Sequence, residues 1–125
     1  MTVRGSREHE LALPFEPVAA LLARYAKRTP AKTAIVDLDG DCAIDFGRLN
    51  DEANRIARFL VERGIGKGDR VALLSEECLE KLIIWMGVWR LGAVVCPLNV
   101  EMNAASVAEI LGHIAPGLTL WNGEL

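Results

Sequence analysis

The sequence predicts an α/β fold, a three-layer parallel βαβαβ unit preceded by a helix and a β-hairpin. Three observations predict it. Residues 70–75 and 93–98 are short, continuous apolar runs, the mark of strands covered on both faces, and residues 118–121 form a third run. The stretches between them, 76–91 and 103–113, have helical length. The links are short, which implies parallel pairing through right-handed crossovers. The 125 residues suffice for one domain with a real core, and 51% hydrophobic with 25% charged residues is a globular composition.

Residues 1–14 read as a flexible lead-in, and residues 15–125 as the domain proper. A first helix is expected to begin at Pro17, a residue suited to the first helical position. Val18, Leu21, Leu22 and Tyr25 recur at helical spacing, and Thr29-Pro30 stops it. Residues 33–38 and 41–44 flank Asp39-Gly40, a hairpin signal. Asp45 is placed to cap a helix over residues 46–63. Its apolar stripe is Leu49, Ala53, Ile56, Ala57, Leu60 and Val61. Arg48, Asp51, Glu52, Arg55, Arg58 and Glu62 form its wet side. Gly64 ends it. After the strand at 70–75, Glu76 and Glu77 are expected in the first turn of a helix running to Leu91, closed by Gly92.

Several function classes fall away on composition. The net charge is -3 with no long run of one sign, so a basic footprint for nucleic acid is missing. The N-terminal residues have no apolar core like that of a signal peptide. The apolar run 82–89 is far short of the ~20 residues of a membrane span. Cys42, Cys78 and Cys96 form no C-x-x-C pair, and an odd number without a secretion signal fits reduced thiols in a cytoplasm. Neither His9 nor His113 stands at zinc-ligand spacing from a cysteine.

The segments that could carry chemistry each have a plainer reading. Gly64-Ile65-Gly66-Lys67-Gly68-Asp69 looks like a phosphate loop, but that device leaves a strand and opens a helix. Here a helix leads in and a strand leads out, so a helix cap and tight turn is the better reading. Asp37-Leu38-Asp39-Gly40-Asp41 looks like a calcium loop, yet the sixth and twelfth positions are Cys42 and Arg48. Cys96 lies inside an apolar strand, where it acts as a small hydrophobe. Cys78 lies near a helix N-terminus, and its one candidate base is His113, which nothing in the sequence places beside it. Glu76, Glu77 and Glu80 read as a helix start. Trp85 and Trp89, four apart, read as packing residues. No catalytic, cofactor-binding or metal-binding residue is assigned.

Three segments, taken in order, resemble a known family. They are residues 44–60 (Ile44-Asp45-Phe46-Gly47-Arg48-Leu49 onward), residues 64–74, and Trp89-Arg90-Leu91-Gly92-Ala93-Val94-Val95-Cys96-Pro97-Leu98-Asn99. In this order and spacing they resemble the N-terminal part of adenylate-forming, AMP-binding enzymes, specifically acyl-CoA synthetases. The resemblance covers nearly the whole chain from Phe15. It implies a partial N-terminal subdomain of that fold. It also implies, for the parent enzyme, ATP, Mg²⁺ and coenzyme A. A carboxylate attacks the α-phosphate to give an acyl-adenylate and pyrophosphate, and a thiol then displaces AMP. Such chemistry needs a phosphate-cradling loop, a metal-holding carboxylate and cations. The family places these downstream of the segments present here. Some members carry a basic residue after Pro-Leu-Asn that can touch coenzyme A phosphates; here Glu101 follows and would repel them.

The expectation is therefore an N-terminal fragment of an AMP-forming acid–CoA ligase, inactive alone, whose partner is the remainder of the ligase. The chain stops four residues after its third strand, and a parallel strand normally needs a further helix to cover it. Two other expectations stand beside it. One is a non-catalytic module that docks on a partner polypeptide through an open sheet edge. The other is a small independent nucleotide-binding fold, disfavoured by the reversed glycine turn.

Overall fold

The computed structural model describes residues 14–122; the expected lead-in over residues 1–14 lies, but for Pro14, outside them. Helix α1 spans Val18–Arg28, and Pro17 proves to be its N-cap residue, just outside the helix. Strands β1 (Thr33–Asp37) and β2 (Cys42–Asp45) pair antiparallel as the expected hairpin. Their turn is held by Asp37, whose Oδ1 accepts from the Gly40 amide at 3.0 Å. Helix α2 spans Phe46–Glu62. Asp45 caps it as its sequence position requires, accepting from the Arg48 amide at 2.7 Å.

The second half alternates strand and helix: β3 (Arg70–Leu74), α3 (Leu79–Arg90), β4 (Val94–Leu98), α4 (Ala104–Ile114) and β5 (Leu118–Trp121). The sheet order is β4-β3-β5, all parallel. The chain leaves β3 toward one side and then returns across it to the other. With right-handed crossovers this reversal sends α3 and α4 to opposite faces, giving three layers. Central β3 is the most buried strand, with Val71, Ala72 and Leu73 all buried. The expectation that residues 93–98 form a fully buried strand is corrected, because β4 is an edge and Val94 is 47% exposed. Glu76 and Glu77 also precede α3, which begins after its N-cap Cys78; only Glu80 lies in the first turn. Four residues, Ser75 to Cys78, link strand and helix, and the backbone is extended at Cys78 (φ -155°, ψ 165°).

Two apolar clusters share α2. One gathers Leu60, Ile65, Val71, Val88 and Ala93 between the sheet and the α2–α3 layer. The other gathers Leu22, Ile44, Leu49 and Ala53 beneath α1 and the hairpin. The predicted stripe of α2 holds except for Val61, which is 56% exposed because it sits beyond the face α3 covers. Helix α3 crosses α2 at Gly87. A Cβ there would come within 2.5 Å of the Ile56 Cβ and 3.1 Å of the Ala53 carbonyl oxygen. The crossing is pinned at its end by Arg90. Its guanidinium donates to Asn54 Oδ1 and to Asn50 Oδ1, each at 2.7 Å, and to the Ala19 carbonyl at 3.5 Å. One cation thus ties α3 to α2 and α1. Burial lowers its pKa from the usual value, though a guanidinium stays charged.

Two substitutions test this packing in chemical denaturation. Gly87→Ala should destabilise by about 1–3 kcal/mol despite alanine's better helix propensity, because the methyl meets backbone and a branched side chain. Ala115→Gly should stabilise by about 0.5 kcal/mol, because the α4 C-cap is left-handed at φ 43°, a conformation that strains alanine.

Candidate functional site

The place where the fold can offer a site follows from the topology. In open α/β sheets a crevice forms beyond the carboxyl ends of adjacent strands whose following helices leave toward opposite faces. Here those strands are β3 and β4. A crevice of about 700 Å³ opens there, lined by Ser75, Glu76, Glu77, Lys81 and Trp85 on one wall and by residues 97–101 on the other.

Lys81 is the unusual group of this wall, because it is only 7% exposed. It points back along α3 one turn to Glu77, and their side chains form an ion pair although the Glu77 side chain is 87% exposed. Among the described residues Glu77 is its one hydrogen-bond partner. Ser75, also buried, donates its hydroxyl to the Glu76 carbonyl at 2.9 Å, and Cys78 Sγ lies 3.7 Å from that hydroxyl. The indole nitrogen of Trp85 is buried without an acceptor. On the other wall Asn99 Oδ1 accepts from the Glu101 amide at 2.9 Å and sets the turn into α4. The rim is thus acidic, with exposed Glu76, Glu77 and Glu101, and the one cation is already neutralised.

The structure disposes of the segments the sequence singled out. The glycine turn is a cap: Gly64 and Gly68 adopt φ of 81° and 82°. Its amides are spent internally, Gly66 on Asp69 Oδ2 at 2.7 Å and Gly68 on the Gly92 carbonyl at 2.9 Å. Cys78 and His113 stand at opposite ends of the sheet, since α4 starts at the carboxyl ends of the strands and His113 is in its last turn. Trp85 and Trp89 pack on each other with ring centroids 5.7 Å apart. Among the described residues no cluster of three or more His, Cys, Asp or Glu could hold a metal ion, and no helix is long and apolar enough to cross a membrane. The acidic rim of the crevice, with its one cation paired, does not fit the phosphates of ATP or of coenzyme A. What sequence reasoning missed is the burial of Lys81: lysine on an apolar helix gives no sign of it until α3 is placed against the β4–α4 link.

The scaffold itself is well known. The family model for the AMP-binding enzyme matches residues 22–123. The chain belongs to the AMP-binding enzyme family. Among its curated relatives, the long-chain-fatty-acid–CoA ligase FadD13 of Mycobacterium tuberculosis is 37% identical over 91 residues, 73% of this chain and 18% of that protein. Tyrocidine synthase 2 of Brevibacillus parabrevis is 31% identical over 112 residues, 90% of this chain and 3% of that protein. Among solved structures, a Mycobacterium tuberculosis fatty acyl CoA synthetase superposes with a TM-score of 0.79 at 32% identity, covering 84% of this chain and 21% of that one. The family member thus spans about a fifth of the length of the ligases it matches, or less.

The Lys81–Glu77 pair gives a two-part test by denaturant unfolding. Lys81→Met should be neutral or stabilising, because burying an ammonium is costly and the stem already packs. Glu77→Gln should destabilise by about 1 kcal/mol, because it leaves Lys81 without a counter-charge, moderated by the exposure of Glu77.

Proposed function

We propose that this member supplies N-terminal scaffold, residues 15–125, to an ATP-dependent, AMP-forming acid–CoA ligase. In that reaction a carboxylic acid is activated as an acyl-adenylate, pyrophosphate leaves, and the thiol of coenzyme A displaces AMP to form a thioester. A carboxylate is a poor acyl donor until such a leaving group is attached, and two anions must be brought together first. ATP, Mg²⁺ and coenzyme A would be held mainly by the rest of the ligase, the partner of this scaffold.

The observation that carries this reading is the superposition on a fatty acyl CoA synthetase at 32% identity across most of the chain. The free thiols Cys42, Cys78 and Cys96 support a cytoplasmic setting. The contribution of these residues is architectural: the α2–α3 layer and the β4-β3-β5 sheet form a rigid platform on which a nucleotide site can be built.

Pyrophosphate exchange decides it. The 125-residue chain, offered ATP, Mg²⁺ and a panel of carboxylic acids, should exchange labelled pyrophosphate no faster than a protein-free control. Joined to the sequence of a full-length ligase in place of its own corresponding segment, it should sustain exchange and form acyl-CoA. Robust exchange by the chain alone overturns the scaffold reading. Exchange by the joined protein without thioester formation on coenzyme A overturns the assigned acceptor.

A further inference from the structure

We draw no further inference here: the strongest candidate, the crevice between β3 and β4 with the nearly buried Lys81 on its α3 wall and Glu76, Glu77 and Glu101 on its rim, belongs to the site already described, and beyond an acidic cluster whose one cation is already paired nothing in the structure shows what it would hold.

Discussion

The close crossing of α2 and α3 at Gly87 governs the rest of the molecule. Only there can the backbone of α3 approach the Ala53 carbonyl and the Ile56 side chain without collision. The approach lets Ala53, a small residue of α2, be fully buried against α3. It also fixes where α3 begins and ends. At its end, Arg90 reaches both Asn50 and Asn54, and so sets the rotation of α3 about its axis. At its start, the rotation turns Lys81 inward and leaves Glu77 outside.

That geometry links the two clusters. The first is a sheet core capped by α2 and α3, the second a smaller core closed by α1 and the hairpin. Because α2 contributes to both, the hairpin and the parallel sheet are held as parts of one scaffold although they share no strand. The opposite face of the sheet is thinner. Helix α4 has no fully buried residue and β5 is half-buried, so the α4–β5 unit is the part of the fold with least of its own core.

The crevice between β3 and β4 lies where the topology of an α/β sheet places binding sites, yet its chemistry is quiet. Its cation is paired, its hydroxyl is committed to a backbone carbonyl, and its rim is acidic. A fold-level rule locates such a crevice; only the side chains decide what it can hold. In this family member its cation and its hydroxyl are committed to contacts within the chain.

The sequence by itself determined the element order, the hairpin, the Asp45 cap, the closing glycines and the family. Each of these is set by neighbours a few residues apart, through capping, turn conformation or apolar period, and local signals survive without a structure. Where the reading missed, the cause was long-range. Glu76 and Glu77 fell outside α3 because the chain needed an extended passage out of β3. The tertiary structure alone decided that β4 is an edge, that Val61 is exposed and that Lys81 is buried. It alone also set Cys78 and His113 at opposite ends of the sheet. Those outcomes depend on which strand lies at the centre and how closely two helices cross, quantities that are properties of packing between distant segments.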